Sequence, residues 1–228
     1  MRMIRTVSAL AAASLLAPAS LNAQHLFEGT VAYSVQMNAM NLDIVHYVKG
    51  DKARQEMSGM PGMPEMVVLM DMGEMEMHMI MPSQNAYMTM DMSQVAAMVG
   101  VQQTEDPTIE RTGQMETVAG HQCENVNITA AGTTMTMCAA TDLGFYFMGG
   151  GGGGGGRGRA GGPPGMNPEL EAKIREVFED GFFPLKMTAT QNGQSMSMVA
   201  TAIEQKSLAD DLFVVPAGYI KMPGMGGG

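Results

Sequence analysis

The sequence predicts an all-β or α+β domain, built from a curved antiparallel sheet of about ten strands with one main helix packed on its apolar face. Many short segments place apolar residues at every second position, which is the period of a strand. Turn-forming residues separate these segments, and only one segment carries clear helix signals. Strands and helices do not alternate, so a parallel sheet is not expected.

The first residues have the pattern of a secretory signal peptide. Arg2 and Arg5 precede an apolar stretch at 7–16, and Ala23 ends a plausible cleavage site. The apolar stretch is too short to span a membrane, and no later segment qualifies as a transmembrane segment. We therefore expect a signal peptide at 1–23 and a single β-rich domain at 24–228, located in the periplasm or secreted.

The mature chain is acidic. Removal of the signal peptide leaves 11 basic and 23 acidic residues, a net charge of −12. Nucleic acid and anionic lipid headgroups both require a basic surface, so neither is an expected partner.

Short connections join most of the predicted strands. The strand ranges are 27–37, 42–49, 52–57, 66–71, 75–81, 86–92, 109–118, 122–129, 133–141, 185–191 and 194–204. The helix begins after the capping residue Asn167 and ends at Gly181. Its apolar stripe comprises Leu170, Ile174, Val177 and Phe178. A glycine-rich segment at 149–165 predicts a disordered loop, and 222–228 predicts a flexible tail.

Methionines dominate one predicted hairpin. They occupy every second position from Met75 to Met81 and from Met88 to Met92, around a turn at 82–85. This register sets Met79 opposite Met88, Met77 opposite Met90 and Met75 opposite Met92. An upstream turn at Met72-Gly73 would set Met70 opposite Met75 and Met66 opposite Met79. The other side of the hairpin should be mostly acidic and polar, with Glu74, Glu76 and His78 in water.

This pattern has two interpretations. Methionine is flexible and polarisable, which suits a cavity for varied apolar ligands; the expected lining is Met66, Met70, Met75, Met77, Met79, Met88 and Met90. Thioethers also bind Cu(I) and Ag(I). For such a soft metal the best candidates are the loop methionines Met57, Met60, Met63 and Met66.

Cys123 and Cys138 predict a structural disulfide, because an exported chain meets an oxidising compartment. A turn at Ala130-Ala131 would make them direct cross-strand neighbours, whereas a turn at Ala131-Gly132 would offset them diagonally.

Enzyme motifs are absent from the sequence, so we expect a protein that is not an enzyme and has no cofactor unless copper is bound. The four histidines, His25, His46, His78 and His121, are far apart in sequence. Each is interpreted as a surface or strand residue rather than a metal ligand.

Four short motifs carry a family resemblance. They are Phe27-Glu28-Gly29-Thr30-Val31, the segment from Tyr47 to Arg54, Val118-Ala119-Gly120-His121, and the ending from Leu212 to Tyr219. The chain resembles an exported bacterial family, the domain-of-unknown-function family 4412, which is similar to the periplasmic lipoprotein-carrier superfamily. The resemblance implies a curved antiparallel half-barrel with helices over an apolar concave face, and no catalytic residues.

The leading hypothesis is therefore an exported binding protein whose methionine-lined concavity holds a lipid or another hydrophobic small molecule. Soft-metal binding is the first alternative, and a structural or interaction domain with a filled core is the second. The sequence identifies no protein partner.

Overall fold

The computed structural model describes residues 26–37, 40–58, 64–92, 107–130, 133–146, 168–191 and 194–223. The predicted signal peptide, the glycine-rich segment at 149–165 and most of the predicted tail lie outside these ranges.

Strands dominate the described chain. Their bounds are β1 Gly29–Met37, β2 Met40–Lys49, β3 Lys52–Ser58, β4 Met66–Asp71, β5 Glu76–Met81, β6 Ala86–Asp91, β7 Thr108–Val118, β8 His121–Ala130, β9 Thr133–Ala140, β10 Phe183–Gln191, β11 Gln194–Gln205 and β12 Ile220–Lys221. Within the described ranges the α-helix α1 spans Pro168–Val177, and short 3-10 turns occupy Pro82–Gln84 and Asp210–Phe213.

All the strands join one open, curved sheet in the order β12-β6-β5-β4-β3-β2-β1-β11-β10-β9-β8-β7. Pairing of β1 with β11 joins a meander of β1 to β6 with a second meander of β7 to β11. The mainly β prediction is confirmed, but the strand number is not. The described residues hold twelve strands rather than about ten, because the chain end adds β12, which pairs parallel with β6.

The helix contributes less than predicted, since α1 has only ten residues. It covers one end of the sheet, where Ile174 is 0% exposed and clusters with Val126, Ile128 and Met137. Across the middle of the sheet a second cluster surrounds Tyr33. No helix among the described residues is long and apolar enough to cross a membrane.

Alternation fixes which side of the central strands is buried. In β1 the side chains of Val31, Tyr33 and Val35 are buried, and their neighbours along the strand are more exposed. Gly29 begins this strand with φ at +152°. A Cβ there would lie 2.1 Å from the Glu204 carbonyl oxygen, so only glycine allows β1 and β11 to approach at this point.

The predicted disulfide is confirmed, with 5.2 Å between the Cα atoms of Cys123 and Cys138. Ala130 pairs with Thr133, and Cys138 lies opposite Asn125. The two cysteines therefore have the diagonal offset, which is the alternative that places the turn at residues 131 and 132.

Candidate functional site: the methionine face

Methionines line one side of β4, β5 and β6, and this surface is called the methionine face below. Met70, Met77 and Met90 form one row across the three strands. Val68, Met79 and Met88 form the adjacent row. Cross-strand neighbours in such rows have Cβ atoms about 5 Å apart, so adjacent side chains are in mutual contact range.

The predicted hairpin register between β5 and β6 is confirmed. Met77 pairs with Met90 and Met79 pairs with Met88. The Met92 backbone N–H donates to the Met75 carbonyl oxygen at 3.0 Å, which continues the pairing. Asn85 ends the turn in a left-handed conformation with φ at 47°, a backbone geometry that asparagine tolerates.

The predicted register between β4 and β5 is wrong by two residues. Met70 lies opposite Met77 rather than Met75, and Val68 rather than Met66 lies opposite Met79. The turn spans four residues, 72–75, and Met75 accommodates it with φ at 57°. A shift of two residues returns every side chain to the same side of a strand, so the methionines still share one face.

Burial differs along the methionine face. Met70, Met88 and Met92 are buried, at 6%, 9% and 2% exposed. The other predicted lining residues are half-buried: Met66, Met75, Met77, Met79 and Met90. Met70 and Met92 cluster with Ala53 and Val68. The methionine face thus combines buried side chains with partly accessible thioethers in the same rows. Its role as a ligand cavity stays a prediction.

The apolar surface continues beyond β4 toward the centre of the sheet. Met66 pairs with Met57, Met57 with Ile44, and Ile44 with Tyr33. Both Ile44 and Tyr33 are buried in the central cluster. An apolar ligand on the methionine face would therefore lie next to the main core.

The opposite side of β4 to β6 was predicted to be mostly acidic and polar, and this is wrong for β4 and for Ile80 of β5. Val67, Leu69 and Ile80 are all less than 10% exposed there. They cluster with Val215 and Tyr219 of the chain end. These residues are buried because the segment after β11 covers them. The uninterrupted apolar run of β4 is consistent with a strand buried on both sides, whereas no pattern in β5 indicates the cover.

We name residues 206–223, which follow β11, the C-terminal strap. Lys49 Nζ donates to the Leu208 carbonyl oxygen at 2.6 Å and to Asp210 Oδ1 at 2.7 Å. Arg54 donates to the Leu212 carbonyl oxygen at 3.2 Å. These contacts and β12 hold the strap across the sheet. Between it and β2 to β4 remains a cleft of about 350 Å³, bordered by Arg54, Glu56 and Tyr219.

The three acidic-side residues named by the sequence behave differently. Glu74 and Glu76 are exposed as predicted. His78 is half-buried: its Nδ1 lies 3.1 Å from Thr89 Oγ1, and its ring packs edge-on against Tyr87 at 6.0 Å. The neighbouring apolar residues under the strap explain this partial burial.

His46 is the feature that the sequence interpretation missed. Its side chain is only 3% exposed. The Gln55 side-chain amide N–H donates to Nε2 at 3.0 Å, so the ring proton lies on Nδ1, which donates to the Tyr146 hydroxyl oxygen at 2.6 Å. Tyr33 packs edge-on against the ring at 5.5 Å and donates its hydroxyl to the Pro184 carbonyl oxygen.

Burial disfavours the charged form of each group in this cluster. It lowers the pKa of His46 from 6.5 to about 4 and raises the pKa values of Tyr146 and Tyr33. The imidazole is therefore neutral at pH 7. The signal for this burial was present in the sequence, because His46 continues the inward alternation of Leu42, Ile44 and Val48 in β2.

The predicted metal loop is only partly described. Met57 and Met66 form a direct cross-strand pair at the ends of β3 and β4, and both are half-buried. Met60 and Met63 lie outside the described residues. Within the described ranges, no three or more histidine, cysteine, aspartate or glutamate side chains group in a way that could hold a metal ion.

A second cleft lies on β7 to β10 and has a volume of about 410 Å³. Its lining is mostly hydroxyl and amide groups, with the disulfide-bonded Cys138 and one lysine. Lys186 Nζ is held by both carboxylate oxygens of Glu116 at 3.1 and 2.9 Å. Thr136 donates to Asn127 Oδ1 at 2.9 Å within this cleft. The cleft is hydrophilic, in contrast to the methionine face.

Several solved structures resemble this fold at low sequence identity. An uncharacterised conserved protein from Thermus thermophilus has a TM-score of 0.51 and 10% identity, over 86% of this chain and 90% of that one. PNGF-II has a TM-score of 0.42 and 14% identity over 84% of this chain; this chain spans only 30% of its length. MucB has a TM-score of 0.41 and 14% identity, over 85% of this chain and 58% of that one.

Sequence comparisons identify the family. No curated protein sequence matches the chain. The sequence profile of the family described as "Domain of unknown function (DUF4412)" matches residues 27–219, which is most of the chain. The chain therefore belongs to the DUF4412 family.

Proposed function

We propose that the mature chain is an exported, non-enzymatic binding protein that holds a lipid or another hydrophobic molecule on the methionine face. The observation that carries this proposal is the pair of methionine rows. Met77, Met79 and Met90 in these rows are partly accessible, although they adjoin buried side chains. In a filled core these side chains would be fully buried, and an ordinary solvent-exposed strand face would carry polar side chains rather than methionines.

The physical properties of methionine suit this role. Its unbranched side chain can change rotamer to follow apolar ligands of different shape, whereas leucine and isoleucine specify one shape. Burial of a methylene group contributes about 0.8 kcal/mol, so eight methylenes contribute roughly 6 kcal/mol. Association itself costs roughly 4 kcal/mol or more, so only a ligand with a long apolar segment would bind well.

Native mass spectrometry of protein purified from its own periplasm tests the proposal. We expect a retained apolar molecule that is lost in the double variant Met77→Gln, Met90→Gln, because each glutamine places an unpaired polar group on the face. The matched control is Met115→Gln, since Met115 is 60% exposed on β7. Protein that carries no apolar molecule, and binds none when offered fatty acids, would favour the filled-core alternative.

Soft-metal binding is the second candidate, and one observation favours it. Met57 and Met66 are direct cross-strand neighbours, so the loop between them begins and ends at a pair of thioethers and carries Met60 and Met63. Cu(I) prefers such soft ligands. Replacement of Met57, Met60 and Met63 with leucine should abolish Cu(I) binding and leave the fold intact, whereas Met115→Leu should change neither.

A further inference from the structure

The methionine face is a cluster of oxidisable side chains. The chain contains 28 methionines and no tryptophan, and both of its cysteines are already joined in the disulfide. Thioethers are therefore the side chains most susceptible to mild oxidants, and an oxidising compartment is where an exported chain would meet them. Susceptibility follows exposure, so the half-buried methionines should react before the buried ones.

Oxidation of a methionine in either row would change the polarity of the methionine face. Met77 lies between Met70 and Met90, and Met79 lies between Val68 and Met88. Conversion of a thioether to a sulfoxide replaces a flexible apolar group with a polar one. Because Met77 and Met79 lie between apolar cross-strand partners, a sulfoxide there would lie beside apolar side chains.

We propose that Met77, Met79 and Met90 form a reversible oxidation site that switches the methionine face from apolar to polar. The oxidant is a peroxide-class molecule such as hydrogen peroxide. An S–O bond forms as the O–O bond breaks; the sulfur loses two electrons, and the remaining oxygen leaves as water after the proton transfers to it. The ligand-release consequence rests on the proposed function, whereas oxidation and its effect on β5 and β6 do not.

The reverse reaction is part of the inference. Methionine sulfoxide reductases A and B each reduce one of the two sulfoxide epimers, so both together should restore the thioethers. Strands β5 and β6 are close to the sheet edge, where β12 is the only described strand beyond β6. Their methionines are therefore better placed for reductase access than side chains in the central strands.

The test treats the mature chain with graded hydrogen peroxide and measures sulfoxide at each methionine by peptide mass spectrometry. Affinity for Nile red, an uncharged apolar dye, reports on the methionine face. Oxidation of Met77, Met79 and Met90 should lower this affinity at least ten-fold, which corresponds to about 1.4 kcal/mol. Treatment with both reductases should restore it.

Two variants serve as matched controls. Replacing Met77, Met79 and Met90 with leucine keeps the apolar volume, so dye binding should persist and become resistant to peroxide. Met115→Leu removes the exposed methionine of β7 and should leave the sensitivity unchanged. The proposal is overturned if sulfoxide forms at the three sites without loss of affinity, if the triple leucine variant remains as sensitive, or if the three sites resist peroxide at doses that convert the buried Met70 and Met92.

A second readout separates this proposal from the proposed function. If the untreated protein binds no dye, the binding function fails, and amide hydrogen exchange of Glu76–Met81 and Ala86–Asp91 decides about oxidation. Faster exchange after peroxide in the wild type, but not in the triple leucine variant, supports the oxidation site. Unchanged exchange in a fully oxidised wild type overturns it.

Discussion

Acidification should destabilise the fold through His46, the only buried histidine among the described residues. The pKa of His46 falls from 6.5 in the unfolded chain to about 4 in the fold, because burial disfavours the imidazolium. The unfolded state therefore binds the proton more readily. The stabilising contribution is complete above pH 6.5 and is lost progressively as the pH falls from there to about 4.

The magnitude follows from the shift of about 2.5 units. Between pH 7 and pH 5 the free energy of unfolding should fall by about 2 kcal/mol from this group, and at pH 4 by about 3 kcal/mol. These losses are a large fraction of the roughly 5–15 kcal/mol that stabilises a typical domain.

The assay is urea unfolding of the wild type and of His46→Gln from pH 7.5 to pH 4. Glutamine keeps one donor and one acceptor for Gln55 and Tyr146 but does not titrate. Carboxylates contribute equally to both proteins, so they cancel in the difference. The variant should be less stable at pH 7.5 and should lose about 2 kcal/mol less than the wild type by pH 5. Two parallel curves would refute the assignment of His46 as a buried neutral base.

Three further results are expected from stability measurements. Tyr146→Phe should cost about 1–3 kcal/mol, because it leaves the buried Nδ1–H of the histidine without an acceptor; a neutral result by urea titration would contradict this. Met70→Ala should cost about 2–5 kcal/mol by creating a cavity, whereas Met115→Ala should change the free energy of unfolding by less than about 0.5 kcal/mol. Reduction of the Cys123–Cys138 bridge, which spans 15 positions in sequence, should cost roughly 3 kcal/mol, and an unchanged thermal midpoint would argue against it.

Local patterns predicted the β5–β6 hairpin well because its determinants are local. Alternating methionines select the face, and Asn85 in its left-handed conformation fixes the turn that sets Met77 opposite Met90. The β4–β5 turn was misplaced since Met75 adopts a positive φ there, and methionine carries no sequence signal for that conformation. The register differed from the prediction by two residues, an even number. The methionines of β4 therefore have other cross-strand partners in β5 but lie on the predicted side of the sheet.

The burial of the side opposite the methionine face depends on contacts between residues that are distant in sequence. Whether Val67, Leu69 and Ile80 face water depends on the strap, which follows them by more than a hundred residues and is anchored by Lys49 and Arg54. The C-terminal strap also affects the methionine face. Because the strap buries the opposite side of β4 to β6, that side supplies the packing energy that holds these strands in place. The methionine face can then remain partly unpacked, which is the condition for binding a ligand or exposing a thioether there.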